Sequence, residues 1–210
     1  SPLAAAPNAG RVVVELIDHD NDADGTIENR EIRTSKYDQR GNPVQQVLEY
    51  ATGASGAIYY RLTSSFTYDQ RGNLVKHVYE YDNGADGTIE GWEIYTFAYD
   101  HRDNRVKEVY ENDIHADGTI DYREIYTSTY DQRGNLVQHA YETDLEADGT
   151  IDYRLTSSFT YDQRGNVVQQ VVEGDAGADG TLEDRSTSTS TYDQRGNLVK
   201  AVNEVDLNVD

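Results

Sequence analysis

The hexapeptide Tyr-Asp-Gln-Arg-Gly-Asn recurs at Tyr37, Tyr68, Tyr130, Tyr161 and Tyr192, and a worn copy (Tyr99-Asp100-His101-Arg102-Asp103-Asn104) fills the gap. Every interval is 31 residues. A second mark, the glycines Gly25, Gly56, Gly87, Gly118, Gly149 and Gly180, keeps the same beat. Two independent marks in one register mean one supersecondary unit stacked on itself. Residues 11–210 therefore read as a single array of six full units plus a half unit. Residues 11–20 repeat the first half of the unit, and residues 197–206 repeat it again. Residues 1–10 (SPLAAAPNAG) lie outside the repeat and read as a small-residue tail or linker.

Within one unit, Leu74–Asp82 and Ile89–Tyr99 are both rich in β-branched and aromatic residues. Two such runs separated by turn chemistry read as a β-hairpin. Gly72 sits where the short connection after Tyr68-Asp69 needs a positive φ, and Asp103 replaces it in the worn copy as one of the few residues that tolerate that region. One column of the first strand is Val throughout: Val13, Val44, Val75, Val106, Val137, Val168 and Val199. Three residues on stands Leu16, Val47, Val78, Val109, Ala140, Val171 or Val202. That odd spacing predicts either two apolar faces or a bulge. The expected fold is all-β, with six-and-a-half hairpin repeats in an open spiral or solenoid-like array that buries its Val/Ile/Tyr face. At 31 residues the unit is short for a propeller blade of about 40–45.

The loop inside each hairpin carries the chemistry. Asp20-Asn21-Asp22-Ala23-Asp24-Gly25-Thr26-Ile27-Glu28 has the D-x-D-x-D-G-x-I-[DE] order that wraps hard cations. Alternate carboxylates Asp20, Asp22 and Asp24 converge only if Gly25 turns the backbone. The Thr26 carbonyl then faces inward and Glu28 closes the shell. Asp144, Glu146, Asp148, Thr150 and Asp152 make a second loop of this kind. Three more loops keep three acids each, with a Thr before the last. One holds Asp82, Asp86, Thr88 and Glu90, the next Asp113, Asp117, Thr119 and Asp121, and the last Asp175, Asp179, Thr181 and Glu183. The loop around Gly56 (Ala51, Gly53, Ser55, Tyr59) has no acid. All-oxygen ligation selects Ca²⁺ over Zn²⁺ or copper, so about five calcium sites and one blank are expected. Glu31, Glu93 and Glu124 stand at the last ligand place of a helix-loop-helix calcium motif. On a strand, however, they face away from Glu28 and its counterparts.

Composition bounds the partners. The formal charge is −21, and five Ca²⁺ would bring it to −11. Such a surface repels nucleic acid and anionic lipid. No apolar run approaches the ~20 residues of a membrane span. There is no Cys, so disulfides and thiolate metal sites are excluded. The chain opens on Ser, as a fragment or a processed form would, and holds no N-x-[ST] sequon.

Tyr-Asp-x-x-Gly-Asn-[Leu/Val] between Tyr- and Thr-rich strands resembles the YD repeats of Rhs-type proteins. The match covers residues 11–206 through Tyr37–Asn42, Tyr68–Asn73, Tyr130–Asn135, Tyr161–Asn166 and Tyr192–Asn197. That resemblance implies a secreted or surface bacterial protein, with teneurins as animal relatives, whose hairpins wind into β-spirals or shells. This array is too small to enclose a toxin domain and contains none, so the enclosing function is not carried over. The loops separately resemble calcium-binding hairpin loops of integrin-type propellers and thrombospondin-like repeats.

An enzyme is the weakest expectation. His19, His77, His101, His115 and His139 fall at scattered columns, and no catalytic set stands apart. The leading expectation is a secreted or cell-surface structural protein, a calcium-stiffened matrix, stalk or fibre subunit. Its half units at either end would pair head to tail with the next copy. A surface adhesin binding cell-surface glycans through Tyr, Arg and Thr columns is the alternative, and ice binding by the Thr rows (Thr34, Ser65, Thr96, Thr127, Ser158, Thr189) ranks below it.

Overall fold

The computed structural model describes residues 10–22, 24–53 and 56–207. Most of the expected N-terminal tail, together with Ala23, Ser55 and residues 208–210, lies outside them. The described chain is all strand and turn. β1 is Val12–His19, β2 Asn29–Tyr37, β3 Pro43–Thr52, β4 Ala57–Tyr68, β5 Leu74–Asp82 and β6 Gly91–Tyr99. β7 is Arg105–Asp113, β8 Tyr122–Tyr130, β9 Leu136–Asp144, β10 Tyr153–Tyr161, β11 Val167–Ala176, β12 Asp184–Tyr192 and β13 Leu198–Leu207. Strand order in the open sheet follows chain order from β1 to β13, and no helix is long and apolar enough to cross a membrane. The expected hairpin array is therefore what forms. Contacts divide it into two compact units, residues 1–95 with 112–119, and residues 96–111 with 120–210.

The Val column resolves as a bulge. Lys36 faces Gln45 while Tyr37 faces Pro43, which leaves Val44 as the extra residue. The same skip falls on Val75, Val137, Val168 and Val199. A bulge puts two neighbours against one partner and bends the strand. The odd three-residue spacing follows from that extra residue.

The motif that defines the repeat builds the turn beside the bulge. In the second unit, Asp131 N–H donates to Asn135 O at 2.9 Å and Gly134 N–H to Asp131 O at 3.1 Å. The Asp131 carboxylate accepts from the N–H groups of Arg133 and Asn135 and from Asn135 Nδ2, at 2.8 to 2.9 Å. Gly134 has φ 87°, and Asp103 in the worn copy has φ 65°. The two remaining side chains reach neighbouring repeats. Arg133 Nη1 donates to Gln163 O at 3.1 Å, as Arg40 does to Gln70 O in the first unit. Tyr161 Oη donates back to Leu136 O at 2.7 Å. The worn copy keeps Tyr99, Asp100, Arg102 and Asn104, and Arg102 still donates to Gln132 O at 2.7 Å. Of the two positions it loses, one offers the staple only a carbonyl and the other asks only for a positive φ.

The buried apolar face expected from the sequence does not form. Among the described residues one apolar side chain is buried, Ala51, and the most deeply buried large side chains are Asp82, Asp113 and Asp144. Among the described residues every strand belongs to the one sheet, and the Val and Tyr columns are half-buried at best. Backbone ladders and polar side-chain rows hold this sheet where a packed core would otherwise.

Candidate metal-binding loops

Each acidic loop is wired by its own amides. The first Asp takes two N–H groups across the turn: Asp82 accepts from Asp86 and Gly87 at 3.0 and 3.1 Å. Asp144 accepts from Asp148 and Gly149, both at 3.0 Å, and Asp175 from Asp179 and Gly180, both at 3.1 Å. Asp113 accepts from His115, Asp117 and Gly118. In the first loop, Asp20 accepts from Gly25 at 2.9 Å. The fifth-place Asp takes the Thr amide two residues on, at 2.7 to 2.8 Å, in Asp24–Thr26, Asp86–Thr88, Asp117–Thr119, Asp148–Thr150 and Asp179–Thr181. The closing acid reaches back over the turn: Glu28 accepts from Asn21, Glu90 from Asn83, Asp152 from Leu145 and Glu183 from Ala176.

These bonds tie carboxylate oxygens to fixed donors, and at the fifth place they favour the charged form. The Thr26 side chain and amide hold Asp24 below the usual carboxylate range. The Thr amides, then the Thr side chains, do the same for Asp86, Asp117, Asp148 and Asp179. Hydrogen bonds to the charged form favour it.

Two loops gather their acids into a metal-sized group. Oxygens of Asp20, Asp22, Asp24 and Glu28 lie within 4.8 Å of one another, as do those of Asp82, Asp86 and Glu90. Ligands about 2.3–2.6 Å from a Ca²⁺ span about that distance across the ion. The donor set, all carboxylate oxygen on a glycine turn, fits calcium. Two further sets, Asp144 with Glu146, Asp148 and Asp152, and Asp175 with Asp179 and Glu183, share the amide wiring without forming such a group. Glu146 and Asp152 are exposed.

In the loop that Asp113 begins, Asp121 is the acid expected to close the shell, and it stands half-buried immediately before β8.

Sequence reading missed a cation that already serves these loops. Arg61 donates Nε to Glu49 at 2.8 Å and Nη1 to Asp82 at 3.2 Å. Arg123 does the same with Glu111 and Asp144; Arg154 donates Nε to Glu142 at 2.6 Å and stands 3.9 Å from Asp175 as an ion pair. Buried at 1 %, 1 % and 4 % exposure, these first-place acids are neutralised across the sheet. The signal was present as the arginine column, offset by 21 residues from the acid it serves. Asp20 is exposed and Arg30 turns instead to Asp18. Glu31 pairs with Arg33, and Glu124 accepts from the hydroxyls of Tyr122, Tyr126 and Tyr141. Neither is bonded to a loop, in keeping with the opposite face expected for that column.

No known protein family and no curated protein matches the chain. Among solved structures, a match titled "Crystal Structure of TcdB2-TccC3-Cdc42" has a TM-score of 0.42 at 16% identity. It covers 90% of this chain and 10% of that one. A porin-like protein from Bacteroides uniformis matches with a TM-score of 0.24 at 10% identity, over 91% of this chain and 93% of that one. Likenesses this distant carry no functional argument.

Proposed function

We propose that this chain is a calcium-stiffened structural repeat protein of the YD-repeat kind, acting outside the cell and without catalytic activity. The observation that carries the reading is the four-carboxylate group Asp20, Asp22, Asp24 and Glu28. It is wired by loop amides, and among the described residues no arginine donates to it. Four ionised carboxylates crowded into one turn repel, and a divalent cation relieves that repulsion while locking the hairpin. The loop of Asp82, Asp86 and Glu90 is the second site, with Arg61 sharing part of its charge. The loops that begin at Asp144 and Asp175 close on the ion by small side-chain rotations.

Self-association is the second part of the proposal. The edge strands expose Val12, Val14 and Leu16 on β1, and Leu198, Val199, Val205 and Leu207 on β13. Edges that meet no further strand among the described residues and carry apolar side chains favour pairing with another chain, and stacked copies would extend the array as a fibre or stalk. Scattering and electron microscopy in millimolar Ca²⁺ and again in EGTA test both parts. Stiff rods or filaments that loosen in EGTA are expected. Compact particles indifferent to EGTA would remove the calcium and the fibre together.

A further inference from the structure

One hollow lies where a repeat lacks its tyrosine. The column that opens β6 holds Tyr60, Tyr122 and Tyr153 in three other units, with Asn29 and Asp184 at the two ends, but is Gly91 here. Where tyrosine is present, its ring packs on a neighbouring ring: Tyr122 lies 6.2 Å from Tyr110 and Tyr153 lies 6.4 Å from Tyr141. The Tyr122 hydroxyl donates to Glu124 at 2.6 Å. Burial, then this carboxylate, push the phenol well above its ordinary range. At Gly91 the ring is missing and a cavity of about 250 Å³ remains, lined by Tyr60, Tyr81, Trp92, Glu93, Asn83 and Asn112 among others. Glu93 is the counterpart of Glu124, and the Tyr81 hydroxyl reaches it at 2.7 Å.

The geometry points to a binding pocket for a hydroxyl-bearing six-membered ring, which occupies the place of the missing tyrosine and donates its hydroxyl to Glu93. The volume suits one ring, because pockets for larger ligands run to about 300–1,000 Å³. Aromatic walls offer the stacking that Tyr110 offers Tyr122. The amides of Asn83 and Asn112 supply donors and acceptors for further hydroxyls. Glu90, Glu93 and Asp113 line the pocket and no Lys, Arg or His does, so anionic rings are rejected. Two sources share this chemistry, a tyrosyl side chain and a pyranose. The inference goes beyond the calcium reading, although Glu90 belongs both to that loop and to the pocket's lining.

Trp92 lines the pocket and is the one tryptophan in the chain, so its indole N–H resonance reports on binding directly. The protein is titrated with N-acetyltyrosinamide and, separately, with methyl glucopyranoside, in Ca²⁺ and in EGTA. A saturable shift with the first identifies a phenolic ligand, and with the second a sugar; persistence in EGTA separates this result from the calcium reading. Gly91→Tyr should abolish the shift by filling the hollow. A Cβ there meets Asp113 O at 3.3 Å, so the neighbour must give by a few tenths of an ångström. Glu93→Gln should weaken binding about tenfold, the loss expected for a charge-assisted bond. N-acetylphenylalaninamide should bind more weakly by a similar factor. No saturable shift with either ring overturns the proposal, and so does equal binding by Glu93→Gln or by the phenylalanine analogue.

Discussion

Ala51 and Asp144 occupy the same column of the repeat and are both buried, at 0 % and 1 % exposure. Around Ala51 the hairpin zips: Thr52 pairs with Ala57, and Tyr59 is skipped as a bulge. β4 therefore starts three residues earlier in the unit than β6, β8 or β10. Around Asp144 the hairpin stays open as a loop, because the carboxylate accepts the amides of Asp148 and Gly149 that a zipped turn would use elsewhere. The arginines follow the same division. Arg123 bridges Glu111 and Asp144, whereas Arg30 has only Asp18 to pair with where Ala51 stands opposite. The acids are thus not needed to turn the chain. They hold a carboxylate-lined loop open, and the arginine in the next strand stabilises the one acid that is buried in doing so.

Asp144→Ala should be the most damaging single change, even though it copies Ala51. It strands Arg123 and two loop amides, and removing one partner of a buried pair costs about 3–5 kcal/mol. Urea melts of Asp144→Ala and of the double change Arg123→Ala/Asp144→Ala decide this. A single-variant loss under about 1 kcal/mol would show that the column is not a keystone.

Calcium comes next. An ion held at a hundred times its Kd adds about 2.7 kcal/mol per site. Thermal melts should therefore rise in Ca²⁺, and the rise should shrink when Asp22, Asp24 and Glu28 are replaced by Asn, Asn and Gln. Replacing residues 82–90 with the acid-free sequence of residues 51–59 sharpens the comparison. The graft should fold as a shorter hairpin and lose one site by titration calorimetry. A graft that retains the full stoichiometry would place calcium elsewhere.

Acid should loosen the turns. The Asn135 side chain and amide hold the Asp131 carboxyl below its ordinary value, and Asn166 and Asn197 act likewise on Asp162 and Asp193. Folded values below the unfolded one mean that this stability is present above about pH 4. It is lost as pH falls through the folded values. Circular dichroism against pH should show an acid transition that moves to higher pH in Asn135→Ala, and an unmoved midpoint would count against the turn's role.

The smallest effects concern staples and strain. Arg133→Ala removes the bond to Gln163 O and should cost about 0.5–1.5 kcal/mol, with Gln163→Ala costing less because only its carbonyl is used. Ala147 sits at φ 48°, a region that costs an L-residue about 1–2 kcal/mol. Ala147→Gly should gain a fraction of that in urea melts, after the larger backbone entropy of glycine is subtracted.

Much of this was written in the chain. The 31-residue beat of Tyr37, Tyr68 and their copies specified the hairpin array, because one unit must see nearly the same neighbours each time it recurs. The acids at Asp20, Asp22, Asp24 and Glu28 marked the loop, since alternate short carboxylates converge only where a glycine turns the backbone. Periodicity is a local property, and sequence carries it in full. What lies across the sheet is not local. That Arg123 reaches Asp144 depends on which strands pair and in what register. That the Val column bulges depends on Thr129 facing Gln138 while Tyr130 faces Leu136. Among the described residues aspartates, not valines, are the most buried large side chains, because the amides of their own loops close around their carboxylates. The hollow at Gly91 is likewise a single missing side chain in the sequence, and only the walls around it make it a place for a ligand.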